Sequence, residues 1–261
     1  MQPQITCRST SRVLKLYPEP FSQLRPTLLS AFGNIRFDQE NTTMLIVLPD
    51  KKSNRFRLRR FRIIREIIGR VLSEKNTCRI LDVGGTAKYW ETFGQELDWK
   101  RIHVSVVNLD LPNTPLNERI DSLVGDARNL KEFSDLSFDF VHSNSVIEHV
   151  GRWTDMVSMA NEVRRLAPRY YVQTPYQWFP LEPHAVFPFF HWMPESWRYR
   201  IVMRRACGFW PRQADVGAAM NTIQSACLLD KRQMRFLFPD AEIVPERVLG
   251  LTKSLIAIRQ K

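Results

Sequence analysis

An α/β fold, a mostly parallel sheet covered by helices on both faces, is predicted by three observations. From residue 79 onward short apolar runs alternate with segments of helical period, the pattern of parallel strands joined by crossovers. The last two such runs are separated by only "LGLT", which predicts an antiparallel hairpin closing the sheet. A chain of 261 residues with 44% hydrophobic content also has enough apolar material for a large buried core.

The elements follow in order. Residues 1–43 show no sustained period, and with the apolar run "MLIVLP" they read as an N-terminal extension over 1–50. A biological start at Met44 is the alternative. Residues 51–70, "KKSNRFRLRRFRIIREIIGR", hold nine Lys or Arg, with Phe61, Ile64, Ile68 and Val71 at helical spacing. This predicts an amphipathic helix over 51–72 that packs its stripe on the domain and leaves its arginines in solvent. Peripheral contact with a membrane surface or a nucleic acid is the other use of such a helix. "RILDV", "HVSVVNL", "SLVG", "FDFVHSN" and "RYYVQTP" read as five strands. Between the last two, Met156, Met159, Ala160, Val163 and Leu166 form one helical face, stopped by Pro168. Residues 176–212 then break the alternation with a dense run of aromatics and prolines. Ligands of open α/β sheets bind beyond the carboxyl ends of the strands, so a flap at about 176–230 falls over the binding edge. "AEIVPERV" and "KSLIAIR" supply the closing hairpin.

Charge and cysteines narrow the setting. A net charge of +11 suits an acidic partner, a nucleic acid or an anionic membrane surface. The four cysteines are scattered, with no CxxC pair, which predicts neither a disulfide framework nor a zinc site and fits a reducing, cytoplasmic location. No transmembrane segment is predicted, because no apolar run approaches the roughly 18 residues a span needs, and "MQPQITCRST" has no apolar segment of signal-peptide type.

The stretch "RILDVGGTAKYW" follows the first strand and opens a helix, the place where backbone N–H groups turn towards a ligand. The dinucleotide template GxGxxG is not met, since only Gly84 and Gly85 are present. Taken with "VVNLDL", "GDARNL" and "FDFVHSNSVIEHV" in this order and at these intervals, the chain from about residue 55 to its end resembles the class I S-adenosylmethionine-dependent methyltransferases of small-molecule type. The resemblance implies a Rossmann-like seven-stranded methyltransferase sheet, S-adenosylmethionine as cofactor, and a transferase activity. It gives Asp82 the role of organising the first loop and meeting the methionine amino group, with Gly84, Gly85 and Thr86 beneath the cofactor. It places Asn108 or Asp110 on the ribose hydroxyls, where a carboxylate is the better chemical acceptor. Asp126 and the Ala127 amide would meet adenine, and Asn144 and Ser145 the methionine portion. The family's loop commonly reads DxGxGxG; here Thr86 and Lys88 stand at the second and third glycine positions, which narrows the approach to the cofactor.

A sulfonium is already a strong electrophile, so positioning supplies most of the acceleration, and a hydroxyl acceptor adds the need for a base. His149, beside the cofactor by the motif, and His184, on the flap next to Glu182, are the catalytic candidates, with His191 behind them. His103 and His142 read as surface or packing residues. Some methyltransferases that resemble this chain bind a divalent ion through ExxEH after the fourth strand. Here Ser145, Glu148 and His149 fill those positions, so the first carboxylate is missing; Glu148, His149, His184 and His191 could still gather around an ion, but no metal ligands are assigned.

The reading is methyl transfer to a small-molecule acceptor of lipid or glycan type at oxygen, the aromatic flap suiting an apolar or planar part. RNA methylation is the runner-up because of the charge. It is not favoured, because "SNSVIEHV" lacks the Asn/Asp-Pro-Pro-aromatic run of adenine amine methylation and no Pro-Cys nucleophile follows. A cofactor-binding module without catalysis is the third reading.

Overall fold

Strand β1 (Cys78–Val83) is buried at five of its six positions, as expected of a strand covered on both faces. The computed structural model that shows this describes residues 51–110 and 118–260, and of the side chains those from Phe56 on. The extension read over 1–50, with Met44, lies outside the described residues. The chain divides into two units, Met1–Arg57 and Leu58–Lys261, and the second holds the sheet.

Beside β1 on one side lie β2 (Ile102–Asn108) and β3 (Ile120–Val124), and on the other β4 (Phe140–Asn144) and β5 (Tyr170–Pro175), all parallel. The hairpin of β8 (Glu242–Val248) and β9 (Leu251–Arg259) completes the order β3-β2-β1-β4-β5-β9-β8, with β9 antiparallel to β5. This is the predicted seven-stranded sheet with its antiparallel end. The connection is tighter than "LGLT": only Leu249 and Gly250 leave the strands, at φ 50° and 82°. Two positive φ values give the turn the handedness that matches strand twist.

Helices cover both faces. α1 (Lys51–Glu74) buries Phe61, Ile64, Ile67, Ile68 and Val71 against one face together with Trp90 of α2 (Ala87–Phe93). α3 (Trp153–Leu166) and α6 (Lys231–Leu237) cover the other, through Met156, Met159, Val163, Met234 and Leu237. The apolar stripe of α1 is therefore spent on the sheet. Peeling it off to insert in a bilayer would forfeit about 1.5–3 kcal/mol for each buried side chain, in total comparable with the stability of a domain, about 5–15 kcal/mol. Any membrane contact of this helix would rest on its outward charge. Among the described residues no helix is long and apolar enough to cross a membrane.

The aromatic flap has an architecture of its own. It carries a short hairpin, β6 (Leu181–Glu182) with β7 (Phe187–Pro188), and helices α4 (Glu195–Arg204) and α5 (Val216–Ile223). Ala185, Phe190, Val202, Cys207, Ala219 and Ile223 form a third apolar cluster inside it. Its two ends meet at the sheet: Tyr176 bridges Leu229, and the Gln177 N–H donates to the Leu229 carbonyl at 2.9 Å.

Candidate active site

The carboxyl ends of the parallel strands gather the residues read from the sequence along one edge. After β1 the chain turns through Gly84, at φ 71°, whose N–H donates to the Val107 carbonyl at 2.8 Å. A Cβ at Gly84 would lie 2.5 Å from Val146 Cγ2, and one at Gly85 would lie 1.7 Å from Asp82 Oδ2. Both glycines are thus required by close approach, and neither position tolerates a side chain. Thr86 does not project at the loop centre; its hydroxyl caps α2 by accepting from the Tyr89 N–H at 3.3 Å. Lys88 lies on the exposed side of α2.

Asp82 is anchored beneath the loop. It is fully buried, Oδ2 accepts from Trp90 Nε1 at 2.7 Å, and Oδ1 pairs with His142 Nδ1 at 2.6 Å. With both oxygens bonded from below, Asp82 shapes the turn that follows β1. His142 stands beside it because β1 and β4 pair Asp82 with His142 in register. Its ring stacks between Tyr89, at 5.3 Å, and Tyr171, at 5.6 Å.

At the end of β2, the Asn108 amide donates to the Gly85 carbonyl at 3.1 Å, which ties it to the loop. Asp110 is exposed two residues further on, with no bond to the loop among the described residues. Asp126 lies after β3 and is gripped by its own neighbour: Arg128 Nε and Nη2 reach its two oxygens at 2.9 and 2.6 Å. The guanidinium holds this carboxyl below its ordinary value against a smaller opposing effect of burial. An adenine amine at Asp126 would have to share it with Arg128. Ala127 packs against the α3 side of the core. Asn144 and Ser145 close the row after β4; Ser145 is in the left-handed region at φ 58° and its hydroxyl donates to Gln173 Oε1 at 3.0 Å.

Residues 81–168, which run from β1 to the end of α3, match a family model described as a methyltransferase domain. The chain therefore carries a methyltransferase-domain segment over about a third of its length. Solved structures similar to this chain include an S-adenosylmethionine-dependent methyltransferase from Methanosarcina mazei, 16% identical, with a TM-score of 0.43 over 70% of this chain and 92% of that one. A putative methyltransferase from an antibiotic biosynthesis pathway of Anabaena variabilis is 14% identical, with a TM-score of 0.41 over 69% and 64% of the two chains. An arsenic(III) S-adenosylmethionine methyltransferase from Chlamydomonas reinhardtii is 17% identical, with a TM-score of 0.42 over 70% and 64%. The chain thus spans just under two thirds of the last two relatives. Among curated proteins, none matches it.

Two polar centres lie beside the loop. The first was not foreseen. Arg60 of α1, expected in solvent, turns inward to Glu246 of β8, with Nε–Oε1 at 2.8 Å and Nη2–Oε2 at 2.5 Å. Its Nη1 donates to Asn144 Oδ1 at 3.1 Å and Gln173 Oε1 at 3.2 Å, and Ser254 donates to Glu246 at 2.7 Å. The spacing did contain the signal, because Arg60 lies four and eleven residues before Ile64 and Val71, on the same stripe. Burial raises the Glu246 carboxyl, but the Arg60 bonds and charge outweigh it, so the net value lies below the ordinary one near 4.3. The pair's contribution to stability is therefore full above that pH and is lost as the pH falls through the lowered folded value. Glu246→Gln is expected to cost about 1.5–3 kcal/mol at pH 7, and its deficit against the parent should shrink below about pH 4. Urea melts at neutral and acid pH check this; a deficit independent of pH would show that the pair carries no such charge dependence.

The second centre joins the turn after β4 to the flap. Ile147–His149 form one 3₁₀ turn, starting from the Val146 that packs on Gly84. His149 Nε2 faces His184 Nε2 at 3.1 Å. His149 Nδ1 donates to the Ser225 carbonyl at 2.8 Å, and His184 Nδ1 bonds Glu182 Oε1 at 2.7 Å. Glu182 is itself buried and accepts the Ala185 N–H on its other oxygen. Glu148, fully buried, accepts from Thr174 at 2.9 Å through Oε2. Burial pushes its carboxyl up to about 7 and lowers the His149 imidazole. The predicted catalytic pair is thus brought together, although its members lie 35 residues apart in the chain. His191 is not part of it, since its Nε2 bonds the Gln177 carbonyl at 2.7 Å, and His103 forms an exposed pair with Asp121 at 2.6 Å. Next to the centre opens a cavity of about 720 Å³ lined by Gly151, Arg152, Glu182, His191, Arg198 and Trp210 among others.

Proposed function

We propose that this protein is an S-adenosylmethionine-dependent methyltransferase that transfers a methyl group to an oxygen of a small-molecule acceptor of lipid or glycan type, held in the cavity between the domain and the flap. One observation carries the reading: the turn that packs on the cofactor loop at Gly84 also presents Glu148 and His149 to His184, beside that cavity. A sulfonium needs only in-line positioning, which the loop residues Gly84, Gly85, Asn108, Asn144 and Ser145 provide, with Asp126 and Ala127 at the adenine end. A hydroxyl acceptor needs activation, and the Glu148, His149 and His184 centre is the polar group at hand. A cavity of about 720 Å³ admits a molecule of metabolite size. The exposed Trp178, Phe189 and Trp192 beside its lining suit an acceptor with an apolar or planar part.

The test is calorimetric titration with S-adenosylmethionine and its demethylated product, followed by methyl transfer to a panel of hydroxylated lipids, glycosides and RNA. Binding with turnover on a small hydroxylated acceptor, lost in His149→Ala, is expected. Turnover on RNA alone, or tight binding without turnover on any acceptor, would reject the proposal in favour of an RNA enzyme or a binding module.

A further inference from the structure

The two imidazoles of the second centre pose a problem of proton count. His149 Nδ1 lies 2.8 Å from a carbonyl oxygen, which only accepts, so that nitrogen carries the proton. His184 Nδ1 faces the Glu182 carboxylate at 2.7 Å and is likewise the donor. In neutral rings both Nε2 atoms are then bare lone pairs, yet they point at each other across 3.1 Å. A third electron-rich atom is present: Glu148 Oε1 is fully buried and has no hydrogen-bond partner among the described residues. An orphaned buried acceptor such as Glu148 Oε1 costs about 1–3 kcal/mol, and two facing lone pairs repel; a cation among the three groups relieves both.

We propose that Glu148, His149 and His184 bind one divalent cation of zinc type through Oε1 and the two Nε2 atoms. A carboxylate oxygen of Glu148 and one ring nitrogen of each histidine lie within 4.8 Å of one another. Two nitrogens at about 2.05 Å from a tetrahedral zinc ion are about 3.3 Å apart, close to the separation of the imidazoles, so only the carboxylate has to move in. Two imidazoles with one carboxylate is a ligand set that suits zinc and leaves a fourth position for solvent or an acceptor oxygen. The outer contacts also fit, because metal-bound histidines donate their other N–H to a carboxylate or carbonyl, as His184 does to Glu182 and His149 to Ser225. Both outer partners and His184 come from the 176–230 segment, whereas Glu148 and His149 come from the domain. The cation would therefore pin the flap to the cofactor edge. The inference does not depend on the acceptor or on the atom that is methylated.

The experiment uses the full chain. Chelator-treated protein is titrated with Zn²⁺, and separately with Co²⁺ to follow its visible absorption, while binding of S-adenosylhomocysteine to the same metal-free sample checks that the domain is intact. Uptake of one ion per chain is expected, with affinity reduced about 10–100-fold in Glu182→Gln, as for loss of an outer-shell partner, and more in His184→Ala. His103→Ala should bind as the parent does. If His184→Ala does not fold, nitrogen NMR of the parent decides, since Zn²⁺ should shift the Nε2 resonances of only two of the five histidines. No stoichiometric uptake by an intact chain, uptake unchanged in His184→Ala, or a spectrum with a proton shared between the two rings in excess Zn²⁺ would each overturn the proposal. Loss of metal binding with S-adenosylhomocysteine binding retained would leave the functional reading standing.

Discussion

Gly85→Ala is expected to weaken S-adenosylhomocysteine binding by at least about a hundredfold, the effect of a misplacement near 1 Å at a positioning loop. The added Cβ would sit 1.7 Å from Asp82 Oδ2 and 2.2 Å from Asp82 Cγ. Asp82 cannot give way, because Trp90 and His142 hold its two oxygens from opposite sides in a fully buried position. The loop backbone must move instead, and with it Gly84, which touches Val146, and the Gly85 carbonyl that holds Asn108. Gly69→Ala in α1 is the control: nothing lies within 4 Å of its added Cβ, and the change should stabilise the helix by about 0.5–1 kcal/mol. Calorimetric titration of both variants checks the prediction. An affinity for Gly85→Ala within a few-fold of the parent would remove this loop from the cofactor site.

Asp82→Ala acts on the same loop by another route and should cost about 2–6 kcal/mol of folding stability, because it removes the acceptor from two buried donors at about 1–3 kcal/mol each. It would leave Trp90 Nε1 and His142 Nδ1 without their acceptor in a region where both side chains are almost wholly inaccessible to solvent. Cofactor affinity should fall as well, through the loop's shape. His142→Gln offers the comparison, since a neutral amide can still donate to Asp82 and should cost less. Chemical denaturation of the two variants, read beside their binding curves, separates the effects. An Asp82→Ala protein as stable as the parent would mean that the pair contributes nothing net.

What the sequence disclosed depended on the length and regularity of each signal. Strands β1, β2, β4 and β5 were legible because each is a compact apolar run, and α3 because five apolar residues fall on one face over fourteen residues. β3 begins at Ile120, earlier than "SLVG", because Asp121 interrupts its apolar pattern. α2 and α6 are only seven residues each and show almost no period. Their signals were instead in the caps, Thr86 for α2 and the Asp230 and Gln233 box for α6.

For the site, motif order placed the loop, Asn108 and the turn after β4 along one edge, but it could not say which groups already satisfy one another. The second oxygen of Asp82 meets His142 only through strand register, and Asp126 meets Arg128 through a local turn. Arg60 was misplaced because charge was allowed to outweigh position: on the buried stripe, an arginine is kept when a carboxylate such as Glu246 awaits it. His149 and His184 were named one by one, and their convergence needed the flap to fold back.

The closure of the flap at Tyr176 and Leu229 has a consequence for how such an enzyme diversifies. Chain leaving β5 and chain re-entering towards α6 are already bridged at one point, and the inserted part has its own apolar cluster. A segment whose ends are held together imposes little on its host, since the entropy of closing a loop grows only with the logarithm of its length. Residues 178–228 can therefore vary in length between their anchors, while Glu182, His184 and Ser225 tie the segment to His149 in the turn after β4. Variation between those anchors reshapes the cavity and leaves the sheet as it is.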